Sequence, residues 1–112
     1  MKRLHEPTSS DLAKWRRLAR EAGRAAASLG QGQEPSLGDL RAATEAARKA
    51  CVVGELTKAS PFIRLVRTAQ RVSAETVAGR RALADELGVL ARTCAEIVDR
   101  PRAPGRLPYG DA

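Results

Sequence analysis

Apolar side chains recur every three or four positions along the first part of the chain, which is the spacing of one face of an α-helix. Thr8, with Asp11 three residues later, is typical of a helix N-cap. Gly30 is suited to a C-cap, where glycine accepts left-handed backbone angles. The sequence therefore predicts a first helix between Thr8 and Gly30. Its apolar stripe consists of Leu12, Trp15, Ala19, Ala22, Ala26 and Leu29.

Two more helical stripes follow a loop that the composition places at residues 30–36. Ser36 and Asp39 repeat the capping pattern, and the helix that they begin is predicted to end near Lys58. Ser60 and Pro61 predict the start of a third helix, because proline is favoured in the first turn after a serine cap. The core-facing residues are Leu37, Leu40, Ala43, Ala47 and Cys51 in the second helix, and Phe62, Leu65, Val66, Ala69 and Val72 in the third.

The stretch from Phe62 to Ile97 keeps helical phase throughout, so it fits either one long helix or two shorter ones. Gly79 and Gly88 each cost up to ~1 kcal/mol inside a helix, and a helix of about forty residues is unusual in a small domain. We therefore predict a break near residues 73–79 and a fourth helical segment over residues 80–99. Gly88 either turns the chain within that segment or lies in a straight helix, and we favour the straight helix.

These patterns predict an all-α fold, a small bundle of three to five helices without a sheet, in a single domain at residues 8–100. Basic tails at residues 1–7 and 101–112, the second rich in proline and arginine, are expected to be disordered. Aromatic residues make up only 3% of the 112 residues, so Leu, Val, Ile and Ala must build the core. Small side chains bury little area each, and a homodimer would supplement the stability.

The chain carries a net charge of +7. Lys2, Lys14, Lys49 and Lys58 are the only lysines among its 20 basic residues, so the other 16 are arginines. Arginine binds phosphate and carboxylate groups through two parallel hydrogen bonds. The charge therefore points to nucleic acid or an acidic protein as the partner.

Catalytic and metal-binding chemistry finds little support in the sequence. His5 is the only histidine, and Cys51 and Cys94 are too few and too far apart for a zinc site. Both cysteines fall on apolar helical faces, where a buried reduced thiol is expected. The adjacent Asp85 and Glu86 point to different helix faces, and no phosphate-binding glycine loop occurs. We therefore expect neither enzyme activity nor a cofactor or metal.

The N-terminus has no apolar run long enough for a signal peptide. No stretch of the chain approaches the ~20 apolar residues that a membrane span needs. We therefore expect a cytoplasmic protein that does not contact a membrane.

Residues 80–99 contain a pattern of apolar and small residues that suits two short helices joined by a turn. Leu83, Leu87, Cys94 and Ile97 would be the apolar contacts, Ala84 would lie at the helix crossing, and Gly88 would make the turn. In these positions the segment resembles the helix-turn-helix motif of DNA-binding proteins. The alternative is one amphipathic bundle helix in which Gly88 permits close packing.

The helix-turn-helix resemblance implies that the second helix enters the major groove with its N-terminal residues first. Arg80 and Arg81 would then contact phosphates. Ala91, Arg92 and Thr93 would face the bases, and Arg92 could bind guanine through two hydrogen bonds.

A second match to the same motif overlaps the first and excludes it. Val72, Ser73, Thr76 and Val77 resemble the turn and recognition helix, with Ser73 as the N-cap. In this version Arg80 and Arg81 supply favourable charge next to the phosphates.

Two rows of arginines have the spacing i, i+3, i+7 that places them on one helix face. They consist of Arg17, Arg20 and Arg24 on the first helix, and Arg64, Arg67 and Arg71 on the third. Side by side, the two rows could follow a phosphate backbone. The alternative is that both are solvated faces, partly neutralised by Glu21 and Glu75.

The sequence therefore favours a small accessory or regulatory protein that binds a polyanion, with duplex DNA as the leading partner. The alternative is a helical bundle that binds another protein through its Ala-rich faces, as an adaptor or an oligomeric subunit. DNA binding would weaken steeply with salt, whereas an apolar protein interface would respond little.

Overall fold

A computed structural model describes residues 9–50 and 61–99 of the chain. These residues form four α-helices, which are α1 (Ser9–Gly30), α2 (Leu37–Lys49), α3 (Pro61–Ala74) and α4 (Val77–Asp99). Neither of the two ranges contains a β-strand. The prediction of a small all-α bundle is confirmed.

The four helices are arranged in a ring around one core. α1 packs against α2 and α4, and α3 packs against the same two helices. α1 and α3 therefore lie diagonally across the bundle, as expected when helices are joined in chain order. The most extensive interface is the one between α1 and α4. These two helices run antiparallel, since Arg16 near the start of α1 lies 2.7 Å from Asp99 at the end of α4.

The core is built mainly from leucine and alanine, with two aromatic rings. Trp15 is 4% exposed, and its ring centroid lies 4.9 Å from that of Phe62 in an edge-to-face contact across the bundle. Several alanines are completely buried, which allows the helices to approach closely. Fully buried residues include Leu18, Leu40, Leu65, Leu87, Ala22, Ala43, Ala47 and Ala69.

The predicted apolar stripe of α1 is slightly rotated relative to the buried face. Leu18 and Ala25 are buried although the stripe leaves them out, while Leu12 and Ala26 are only partly buried. The reason is that α1 packs against two neighbouring helices, which widens its buried face beyond a single row of residues.

Two of the predicted helix ends differ from the structure. Gly30 is the last residue of α1, and the left-handed backbone occurs at Gly32 instead (φ 73°). The predicted C-cap at Gly30 is therefore wrong, because the chain makes one more hydrogen-bonded turn before it leaves the helix. α2 ends at Lys49, since Ala50 is extended (ψ 143°), so the predicted end near Lys58 is also wrong.

Of the predicted N-caps at Thr8, Ser36 and Ser60, only the one at Ser36 lies within the described residues. Ser36 precedes α2, but its side chain makes no capping bond to the backbone, and its hydroxyl donates to Asp39 Oδ2 at 2.8 Å. The predicted caps at Thr8 and Ser60 lie outside the described residues, as do both tails.

The predicted break between the third and fourth helices is confirmed at Glu75 and Thr76. The Oγ1 atom of Thr76 accepts a long hydrogen bond of 3.5 Å from the backbone N–H of Gly79, in the manner of an N-cap. α4 therefore begins at Val77, three residues before the predicted start. Ser73 lies inside α3 and donates its hydroxyl to the Ala69 carbonyl, so it does not cap the helix that follows.

α4 runs through Gly88 without interruption, and the straight helix favoured from the sequence is confirmed. Residues 80–99 therefore do not form two helices joined by a turn. Gly88 lies against α1, where a Cβ atom added to it would be 3.5 Å from the Cβ of Ala26. This is an ordinary van der Waals distance, so the site has room for one methyl group.

We expect Gly88→Ala to stabilise the protein by up to ~1 kcal/mol, because alanine reduces the backbone entropy of the unfolded chain and the helix accepts its methyl group. The matched control is Gly32→Ala, which has open space but positive φ and should lose about 1 kcal/mol. Thermal unfolding followed by circular dichroism measures both. A lower melting temperature in Gly88→Ala would show that the α1–α4 contact cannot accept the methyl group.

Candidate polyanion-binding surface

α3 carries a row of exposed arginines and no acidic residue. Its inner face is fixed by the buried residues Phe62 and Leu65, and this orientation turns Arg64, Arg67 and Arg71 outward, where all three are exposed. No acidic residue occurs between Pro61 and Ala74. The positive charge of this row is therefore not compensated within its own helix.

α2 adds two more arginines along the flank of α3. Arg41 donates from Nη2 to the Ser73 carbonyl at 2.9 Å, which holds it against the end of α3. Arg48 and Arg67 line the same shallow cavity of about 300 Å³ above the aromatic rings of the core. We call the surface formed by Arg41, Arg48, Arg64, Arg67 and Arg71 the α2–α3 basic surface.

The carboxylates that border the α2–α3 basic surface are mostly engaged. Glu45 pairs with Arg48 at 2.9 Å, and its hydrogen bond and charge interaction with Arg48 lower the pKa of Glu45. Glu86 on α4 accepts a hydrogen bond of 2.7 Å from the hydroxyl of the buried Thr68. The exposed Glu75 follows the end of α3. Positive charge therefore dominates the outer side of α3.

Sequence reasoning missed Arg41 and Arg48. The sequence does indicate that the two arginines lie together, because they are seven positions apart and so share one face of α2. Glu45 lies on the same face and offsets part of their charge. Only the packing of α2 against α3 shows that both arginines extend the row on the third helix.

The arginine row on α1 lies elsewhere. Arg17, Arg20 and Arg24 are exposed as predicted, but α1 and α3 are diagonal in the ring of helices. The two rows therefore do not lie side by side, and they cannot form one continuous track. The α1 row is also closer to negative charge, since Arg24 pairs with Glu21 at 3.4 Å and Arg20 borders a groove that contains Asp85.

The residues of α4 that were predicted to bind nucleic acid are dispersed. Arg80 is used within the fold, since its side chain is only 13% exposed, pairs with Glu34 at 2.5 Å and donates to the Glu75 carbonyl at 3.0 Å. Its guanidinium is therefore largely occupied by contacts within the fold. Thr93 is half-buried, whereas Arg81 and Arg92 are exposed. None of the four lines the cavity that Arg48 and Arg67 share.

A groove of about 630 Å³ follows the interface between α1 and α4. Its floor consists mainly of alanine and glycine, among them Ala19, Gly23, Ala84 and Gly88. Charged residues line its sides, and the Arg16–Asp99 ion pair lies at one end. The groove is shallow and open, so it offers a surface for a protein segment more readily than a pocket for a small ligand.

The only cysteine in the described ranges has an unreactive thiol. Cys94 is completely buried, as predicted, and burial raises the pKa of its thiol to about 12. The thiol therefore stays protonated at neutral pH and is a poor nucleophile. Cys51 and His5 lie outside the described residues. Within residues 9–50 and 61–99, no three His, Cys, Asp or Glu side chains come together in a group that could hold a metal ion.

None of the four helices is long and apolar enough to cross a lipid bilayer. The chain matches no protein-family model, no curated protein and no solved structure.

Proposed function

We propose that this protein binds a polyanion, with duplex DNA as the leading partner, and acts as a small accessory or regulatory protein. The observation that carries the proposal is the exposed row Arg64, Arg67 and Arg71 on a helix without a single acidic residue. Arg41 and Arg48 on the neighbouring helix widen this row into a surface.

The dimensions of the row suit a phosphate backbone. From Arg64 to Arg71 the helix rises about 10 Å. Phosphates of one DNA strand follow each other at about 3.4 Å along the duplex axis, so the row spans roughly three phosphate intervals. Contacts of this kind fix the position of the protein but do not read sequence. Binding is therefore expected to depend mainly on charge.

A duplex fits the surface better than a single strand. Single-strand binding relies on aromatic side chains on which bases stack. Trp15 and Phe62 are the aromatic residues in the described ranges, and both are buried in the core. The α2–α3 basic surface therefore offers charge without a stacking platform.

The proposal is tested with the triple variant Arg64→Gln, Arg67→Gln, Arg71→Gln. Each lost phosphate contact should reduce the slope of log affinity against log salt by about 0.9, so the loss of all three should reduce it by about 2.7. Fluorescence anisotropy of a labelled DNA duplex, titrated at several salt concentrations, measures the slope.

The matched control is the triple variant Arg17→Gln, Arg20→Gln, Arg24→Gln, which removes the same charge from α1. It should keep most of the wild-type slope, because α1 lies diagonally opposite α3. If both variants lose the same slope, net charge and not the α2–α3 basic surface governs binding. If the wild-type protein does not bind the duplex at low salt, the proposed function is wrong.

A second candidate function is a protein–protein interaction module, either an adaptor or an oligomeric subunit. The groove between α1 and α4, with its floor of small side chains, is the observation that favours it. An apolar segment bound in this groove should be retained at high salt, whereas a duplex should be released.

A further inference from the structure

α4 presents a row of exposed residues along the edge of the α1–α4 groove, which Asp85, Val89 and Arg92 line. The row consists of Arg81, Asp85, Val89, Arg92 and Glu96, which follow each other at intervals of three or four positions and so share one helix face. Val89 at the centre is 51% exposed, and Val77 is the only other large apolar side chain in the described ranges that is comparably exposed. The row therefore has an apolar side chain at its centre and charged side chains on either side of it.

The charged residues of this row have no ion-pair partner among the described residues. α4 does form such pairs elsewhere, through Arg80 to Glu34 and through Asp99 to Arg16. Arg81, Asp85, Arg92 and Glu96 form none, and all four are exposed. The charged side chains on either side of Val89 can therefore form ion pairs with another molecule.

The signs of the charges are antisymmetric about the centre of the row. Arg81 and Glu96 lie equally far from the midpoint between Gly88 and Val89, and they have opposite charges. Asp85 and Arg92 are also equally far from this midpoint, and they too have opposite charges. A second α4 laid antiparallel across the first would therefore place each charge opposite its complement.

We propose that the protein forms a homodimer in which two α4 helices pack antiparallel about a two-fold axis that passes between Gly88 and Val89. Arg81 then faces Glu96 of the second copy, and Asp85 faces Arg92 of the second copy. Val89 of each copy lies beside the axis, where the two exposed apolar side chains contact each other. The occupant of this face is thus a copy of the chain itself.

The charges also exclude the other simple arrangement. In a parallel pair in register, each of the four charged residues would face its own counterpart, and all four contacts would be repulsive. In the antiparallel pair all four become attractive.

The dimer is expected to be weak. A helix of 23 residues is about 34 Å long, and one such helix from each copy buries less area than a standard stable interface. Exposed ion pairs contribute little individually and are screened by salt. The dimer should therefore form at high protein concentration and dissociate as salt is added. It does not rest on nucleic-acid binding, because none of its residues belongs to the α2–α3 basic surface.

Charge reversal tests both the interface and its symmetry. Asp85→Arg places two arginines opposite each other twice in the dimer, and Arg92→Asp does the same with two aspartates. Each variant alone should dimerise at least about tenfold more weakly than the wild-type protein. An equal mixture of the two should associate again, because the arginine introduced in one variant then faces the aspartate introduced in the other. Sedimentation equilibrium over a range of concentrations at low salt measures all three samples.

The control is Arg17→Asp, an equal change of charge at an exposed position on α1, which should dimerise like the wild-type protein. Helical content and melting temperature should stay close to wild type in each variant, since the substituted side chains are exposed and unpaired. A monomeric wild-type protein at near-millimolar concentration would overturn the proposal. So would single variants that associate normally, or a mixture that fails to associate.

Discussion

Trp15→Ala is expected to destabilise the protein by about 3–5 kcal/mol, the usual cost of truncating a large aromatic side chain in a core. Trp15 is 4% exposed and contacts the ring of Phe62 across the diagonal of the bundle. The cavity left by the indole would lie in a close-packed core, which can collapse around it only in part. Such a loss is a large fraction of the stability of a small domain. Chemical unfolding followed by circular dichroism measures it.

Two further variants keep this prediction testable if Trp15→Ala does not fold. Trp15→Phe retains a ring beside Phe62 and should cost clearly less than the alanine variant. It also removes an indole N–H that is buried without a hydrogen-bond partner among the described residues, which offsets part of the loss. Val77→Ala, at a position that is 53% exposed, should change stability by less than about 0.5 kcal/mol. If Trp15→Ala is equally mild, the aromatic pair does not hold the bundle together.

Ala22→Leu is expected to destabilise the protein by about 1–3 kcal/mol, although leucine is the more hydrophobic residue. Ala22 is completely buried on α1, in the face that packs against the neighbouring helices. A larger side chain there must push helices apart or adopt a strained rotamer, because protein interiors are close-packed. Thermal unfolding of the variant and the wild-type protein gives the difference.

Ala13→Leu is the matched control for Ala22→Leu. Ala13 lies on the same helix and is exposed, and the two residue types differ little in helix propensity. The control should therefore be almost neutral. An Ala22→Leu variant that is as stable as the control would mean that the core has unfilled space beside α1.

The helices themselves could be predicted from the sequence, because each buries one face and so repeats apolar residues at helical spacing. Leu40, Leu65 and Leu87 all fall on predicted stripes and are completely buried. The end of α2 could not be placed, since the apolar stripe continued past Lys49 while the backbone turned extended at Ala50. Periodicity reports the faces of helices more reliably than their ends.

The candidate site was only half predictable, for a reason of geometry. A sequence shows which arginines share a face of one helix, but it does not show which helices are neighbours. The sequence therefore predicts the arginine row that contains Arg67 but does not predict Arg41 and Arg48 beside it. It also predicts that the row containing Arg20 lies next to this one, whereas the structure places that row on the diagonally opposite helix. The sequence also does not show that Arg80 pairs with Glu34, because the two residues are 46 positions apart in the chain.

Gly88 shows why a sequence motif cannot by itself distinguish a turn from a straight helix. A glycine between two apolar segments fits a turn, but it equally fits a helix whose neighbour approaches closely. The contact with Ala26 on α1 decides between them, and it is made by a residue far away in sequence. Local pattern alone contained no information about that contact.

The pairing of the first helix with the last has a consequence for synthesis of the chain. The ribosome releases α1 first and α4 last, so the largest interface of α1 has no partner until nearly the whole domain has emerged. Closing α1 onto α4 also carries the largest loop-closure entropy among the helix contacts of the described residues. Native structure should therefore form late and in one step. A stop codon within α4 is expected to leave a chain open to proteases, and not a shorter three-helix domain.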